Sequence, residues 1–202
     1  MEIVELNIDF IMRQNLWGKH EGVYETILST NILICPGGHS QNTLTQIRGE
    51  YNIDPNWRGK HQAKQFIYSI KPNDYVLVYD REHAHALVCK ITSGIITNKV
   101  NDIKIIRSKP CCHEPLLATC PTCATSIKTI ISRKYMQDNP KKCLQYIDEK
   151  YSVEDMHAIY RKIEVVGKIS NSEIYDRHKT LPGSLRKLKR NEMLSIRDIQ
   201  KI

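Results

Sequence analysis

The chain has 202 residues, 41% of them hydrophobic and 26% charged, and 30 Lys and Arg against 22 Asp and Glu give a formal net charge of +8. That length can bury one core with an appended segment. The positive excess points to a polyanionic partner, DNA or RNA first, and the lack of any apolar run near ~18 residues or of a secretory core predicts a soluble, intracellular protein with no membrane partner.

In chain order, Trp17-Gly18, Cys35-Pro36-Gly37-Gly38 and Asp54-Pro55 punctuate the alternating short strands and helices of residues 1–110. Over residues 61–71, Ala63, Phe66, Ile67 and Ile70 recur at i, i+3, i+4 and i+7, which predicts an amphipathic helix with Lys64 and Lys71 facing outward. Between Pro55 and Asn73 there are four Lys or Arg and no acidic residue, so this helix presents one sign of charge. Pro72-Asn73-Asp74 predicts a turn, 75–79 a buried strand rich in β-branched and aromatic residues, 80–85 a polar connection and 87–91 its partner strand. Residues 100–107 read as a further strand. After a cysteine-rich stretch, the spacing of Ile127, Ile130, Ile131 and Tyr135 predicts a helix, and 141–150 a second one with Cys143, Leu144 and Ile147 on its apolar side. Residues 163–169 read as a closing strand. The segment 170–202 carries eight Lys or Arg against four Asp or Glu, with Leu185, Leu188 and Leu194 too sparse to build a core alone. It reads as a basic tail, either solvated and partly disordered or docking as a helix. The fold class is α+β.

The cluster Cys111, Cys112, His113, Cys120 and Cys123 holds the strongest metal signal. Cys120-Pro-Thr-Cys123 has the C-x2-C spacing with which two thiolates chelate one Zn2+, and Cys111, Cys112 and His113 stand close enough upstream to complete a structural site. Thiols without metal and a redox pair are the competing readings. With seven cysteines and no short secreted framework, disulfides are not expected. The pair Cys35 and His39 and the pair His83 and His85 read first as turn and loop residues.

No catalytic constellation emerges. A base deaminase needs H-x-E followed by P-C-x-x-C, whereas His113 is followed directly by Glu114, with Thr-Cys-Pro-Thr-Cys after it. A restriction-type nuclease needs an acidic residue and an E-x-K hairpin to hold Mg2+, and Asp148-Glu149-Lys150 falls at a predicted helix end. No nucleophile elbow, phosphate loop or dinucleotide fingerprint occurs. The expectation is a non-catalytic binding module. A composition of 27 Ile against 6 Ala reads as AT-rich coding, which fits a large DNA virus or an AT-rich microbe, with host cytoplasm, nucleus or virion as the site of action.

Trp57, Gln62-Ala63-Lys64, Phe66, Lys71, Asn73-Asp74, Val76-Leu77-Val78-Tyr79 and Val88 with Lys90-Ile91 form one pattern: tryptophan, basic helix, turn and strand pair. This stretch, within residues 57–95, resembles the EVE family of the PUA-like superfamily, relatives of the YTH readers of methylated adenine. Phe10-Ile11-Met12-Arg13 echoes that family's opening strand. Lys64 stands where the family usually has Arg, and Asn73 where it has Gly. The resemblance implies a small mixed β-barrel flanked by helices over residues 1–169, within which the cysteine spacing at 111–123 reads as a zinc-binding insertion. It also implies a reader that takes a modified base into an aromatic pocket. Trp57, Trp17 and Tyr79 are its candidate walls, each tryptophan being equally a candidate core residue, and Arg58, Lys60 and Lys64 are its candidate phosphate contacts. The alternative from another class is a structural or packaging protein that self-associates into a homo-oligomer through a degenerate barrel of this kind.

Overall fold

A computed structural model describes residues 6–13, 23–35, 44–47, 50–56, 59–79, 85–108, 127–141, 151–170, 185–188 and 194–196. The chain forms two compact units, one from residues 1–16, 31–98 and 158–202, the other from 17–30 and 99–157.

The first unit is mixed α+β around a curled, half-barrel sheet. Its strands are β1 (Leu6–Ile8), β2 (Phe10–Arg13), β3 (Ile32–Ile34), β4 (Leu44–Ile47), β5 (Glu50–Ile53), β6 (Tyr75–Tyr79) and β7 (His85–Ile91). The long β8 (Ile96–Ser108) and β10 (Tyr151–Ser170) run through both units, and β11 (Leu185–Lys187) and β12 (Leu194–Ile196) complete the first. Helix α2 (Lys60–Lys64) continues directly into a π-helical segment, Gln65–Ser69.

The sheet order in this unit is β11-β2-β6-β7-β10. β2 and β6 are parallel, Phe10 beside Val76 through Arg13 beside Tyr79, and β6 and β7 are antiparallel. Ile8, Ile11, Leu77, Tyr79, Ala86, Val88, Ile169 and Leu188 form one buried cluster. The alternating residues Phe10, Met12, Val76, Val78, Leu87 and Cys89 are buried as well, so both faces of these strands are covered. That is why their sequences read as nearly continuous apolar runs. Asp9 fastens the start of β6: its N–H donates to the Tyr75 carbonyl at 3.0 Å, and its carboxylate accepts the Tyr75 N–H at 3.1 Å. Along β10 the register with β7 shifts between Val165 and Gly167, so Val166 is an extra residue. A bulge of this kind bends a strand and increases its twist, which curls the sheet. β3 also pairs with β10, over Tyr160–Lys162.

Residues 170–202 contribute strands. β11 pairs with β2 and β12 with β1, and Leu185 and Leu188 are 4% and 6% exposed. Residues 185–187 and 194–196 therefore join strands, and Leu185 and Leu188 the core, within a segment whose composition predicts a solvated tail or a docked helix. In the second unit, residues 127–132 are not the start of a helix. They form strand β9 (Ile127–Ser132), antiparallel to β8, and helix α3 (Arg133–Asp138) comes next; helix α1 (Val23–Thr30) packs against both β9 and α3. The spacing of Ile127, Ile130 and Ile131 fits a helix, but the run Ile-Lys-Thr-Ile-Ile is β-branched at four of five positions. Opposite the equally β-branched Ile103, Ile105 and Ile106, it is more favourable as a ladder. The predicted helix at 141–150 falls mostly outside the described residues.

Candidate nucleic-acid interface

Residues 54–56 and 59–74 of the first unit carry the candidate interface. The Asp54 carboxylate accepts the Asn56 N–H at 2.8 Å and closes a turn, and the Ala63 N–H reaches the Gly59 carbonyl at 3.1 Å to start the helix. Ala63, Phe66, Ile67 and Ile70 are all buried, as their spacing predicts. The helix widens at its end, where the Ile70 N–H donates to the Gln65 carbonyl at 3.1 Å, five residues back. π-type turns of this sort recur at functional sites.

The carbonyls near a helix C-terminus lack partners within the helix, and a buried cation supplies them here. Arg161 of β10 is 2% exposed. Its Nε and Nη2 donate to the Phe66 carbonyl at 3.2 and 3.0 Å, Nη2 also to the Ile67 carbonyl at 3.1 Å, and Nη1 to the Ser93 carbonyl at 3.2 Å. The guanidinium lies 5.6 Å from the centroid of the Phe66 ring. Burial pushes its pKa below the ordinary arginine value, and the negative charge of Asp74 opposes that shift.

Lys71-Pro72-Asn73-Asp74 has the features of a type II turn: Pro second, a positive φ of 75° at Asn73 third, and the Asp74 N–H donating to the Lys71 carbonyl at 3.2 Å. Asn tolerates that left-handed conformation better than most residues. The Asp74 carboxylate folds back to accept the Lys71 N–H at 2.7 Å.

Outward along this segment, besides the turn residues Pro55, Asn56, Pro72 and Asn73, stand His61, Lys64, Tyr68 and Lys71, all exposed. Tyr68 is 60% exposed and makes no hydrogen bond or ring contact among the described residues. Lys64 thus stands where the sequence predicts. Lys60 is partly buried and its Nζ donates to the Pro55 carbonyl, which turns it onto the backbone of the preceding turn. Tyr79 is 5% exposed and belongs to the buried cluster of the sheet, so its ring is a core group and does not join this face. Trp57, Arg58, Trp17, Cys111, Cys112, His113, Cys120 and Cys123 lie outside the described residues. Among the described residues no group of three or more His, Cys, Asp or Glu is placed to hold a metal. Cys35 and Cys89 are buried and not joined in a disulfide. Burial raises the pKa of both, Cys89 to about 12, while the charge of Arg161 opposes the shift at Cys35.

Two residues of the site are not picked out by the sequence alone. Tyr68 shares the outward spacing of Lys64 and Lys71, which is the signal that could have found it. Arg161 lies 95 residues from Phe66 and carries no local signal. Among the described residues no helix is long and apolar enough to cross a membrane. No protein-family model, no curated protein and no solved structure matches the chain.

Proposed function

We propose that the protein is a nucleic-acid-binding module that acts by binding and not by catalysis, and that its curled sheet is a PUA-like barrel presenting α2 to a phosphodiester backbone. One observation carries this reading. His61, Lys64, Tyr68 and Lys71 form an exposed stripe within a stretch, Pro55 to Asn73, that has no acidic residue. Asp74, the next residue, spends its carboxylate on the turn's own backbone. Lysines in such a stripe attract phosphates and release counterions, which sets affinity and salt sensitivity without reading sequence. A pocket for a modified base, walled by Trp57 just before this helix, is the finer form of the same proposal.

Fluorescence anisotropy with labelled oligonucleotides across a salt series tests it. Replacing Lys64 and Lys71 together by Ala should weaken binding to every sequence and flatten the log–log salt slope by about 0.7 per lost phosphate contact on a single strand or about 0.9 on a duplex. Unchanged affinity and slope in that variant would refute this face as the interface. Oligonucleotides with methylated or hydroxymethylated bases test the pocket in the same assay.

A further inference from the structure

We propose that Tyr68 is a stacking platform that directs this face to single-stranded nucleic acid in preference to duplex; the proposal rests on the nucleic-acid function proposed for this face and names its ligand. A tyrosine ring held out in solvent between basic residues offers a base a π-face, and the other aromatic rings described in this unit are turned inward or partly covered. Phe10, Phe66, Tyr79 and Tyr160 are all buried, and the part-buried Tyr51 bonds Thr97 Oγ1 through its hydroxyl at 3.1 Å. Tyr68, by contrast, stands mostly in solvent, at 60% exposure. Lys64 stands one turn before it on the same helix, and Lys71 follows just past the helix end, after the extended Ile70. An exposed ring with cations before and after it along the chain suits a base that stacks while adjacent phosphates are neutralised.

The platform is held rigidly. On either side of Tyr68 the chain is anchored inward by Phe66, Ile67 and Ile70, and Arg161 grips the carbonyls of Phe66 and Ile67 from beneath. Little ordering of the backbone is therefore needed when a base arrives, which favours affinity. The preference for single strands arises from access. A ring projecting from a helix can reach the face of an unpaired base, whereas duplex bases hide their faces against one another and offer only backbone and edges. Stacking of this kind is indifferent to base identity, because every base has a π-face.

The test uses the full chain with labelled single-stranded DNA, single-stranded RNA and a duplex of equal length, comparing wild type with Tyr68→Ala, Tyr68→Phe and the Lys64→Ala/Lys71→Ala pair. Tyr68→Ala should lose roughly 5- to 150-fold in affinity for a single strand, change duplex binding by less than about twofold, and keep the salt slope of the wild type. Tyr68→Phe, which keeps the ring, should bind single strands like the wild type. Either strand chemistry showing this pattern supports the assignment, and the tighter of the two identifies the ligand. Single-strand affinity of Tyr68→Ala within twofold of wild type, or equal losses on single strand and duplex, would overturn it. If the double lysine variant still lowers affinity and slope in that case, the basic face survives and only the stacking role fails; no binding by the wild type to any of the three would remove both. Because Tyr68 is exposed, its variants should melt with the wild type, and circular dichroism confirms that affinity alone has changed.

Discussion

Replacing Arg161 by Met is the most informative perturbation of the fold beneath the proposed interface. The guanidinium satisfies two fully buried carbonyls, Phe66 with two bonds and Ile67 with one, and a third, Ser93, in a partly buried position. A buried acceptor stripped of its partner costs about 1–3 kcal/mol, so the two buried carbonyls alone give ~2–6 kcal/mol. The lost contact with the Phe66 ring adds about 0.5–2 kcal/mol. Against this, Met removes a buried charge whose desolvation costs several kcal/mol, and it fills part of the space with apolar volume. The balance is a net loss of about 3 kcal/mol, a large share of the 5–15 kcal/mol that stabilises a typical domain. With a urea slope of about 2 kcal/mol/M, the unfolding midpoint of this unit should fall by roughly 1.5 M. Amide exchange should quicken first along residues 65–74, since their last turn loses its anchor. A midpoint within ~0.3 M of wild type, with unchanged exchange there, would show that the carbonyls find other partners and that Arg161 does not hold the segment.

Three further outcomes are expected. Leu188→Ala should cost about 2–4 kcal/mol in urea unfolding, because Leu188 is 6% exposed within the sheet's buried cluster; a loss under ~0.5 kcal/mol would return 170–202 to the status of a tail. Cys35 and Cys89 should resist alkylation at pH 8.5 until denaturant is added, as peptide mass mapping can resolve, since burial keeps both protonated. Because the Cys89 pKa is raised from 9.0 to about 12 in the folded protein, unfolding releases a proton above pH 9, so this thiol's contribution is intact below that and is lost as pH climbs toward 12; urea titrations at pH 8 and 10.5 check the sign. Protein purified without chelator should carry one zinc, held by Cys120 and Cys123 with ligands from Cys111, Cys112 and His113, by native mass spectrometry; under half an equivalent, with an unchanged melting temperature in Cys120→Ser/Cys123→Ser, would rule the site out.

The parts of the fold that could be read in advance are those whose cause is local. Ala63, Phe66, Ile67 and Ile70 declare their helix by spacing, Pro72-Asn73-Asp74 its turn by backbone preference, and Tyr75–Tyr79 its strand by composition. Where two local causes compete, the sequence misleads. Ile127, Ile130 and Ile131 satisfy a helical period and a β-branched run at once, and the partner strand β8 decides between them. β11 and β12 have three residues each, too few to show any period, and exist because β2 and β1 offer them edges. For the site, charge was legible and burial was not. Lys64 is placed by its position opposite the apolar stripe, but Tyr79 looks like a pocket wall until the covering of both sheet faces is seen. Tyr68 is outward for the same reason as Lys64, and is passed over because aromatic residues are ordinarily assigned inward.

The pairing of β2 with β11 and of β1 with β12 also governs the order in which the unit can assemble. Met12 and its neighbour Leu185 stand roughly 170 residues apart in the chain, whereas β6 and β7 meet across a short connection. During synthesis the β6–β7 hairpin can therefore close early, while Phe10-Ile11-Met12-Arg13 must wait for residues 185–187 with one edge of its backbone uncovered. That edge belongs to an apolar strand, the kind that recruits strands from other molecules. A nascent or clipped chain lacking β11 should accordingly aggregate more readily than one in which β11 covers that edge.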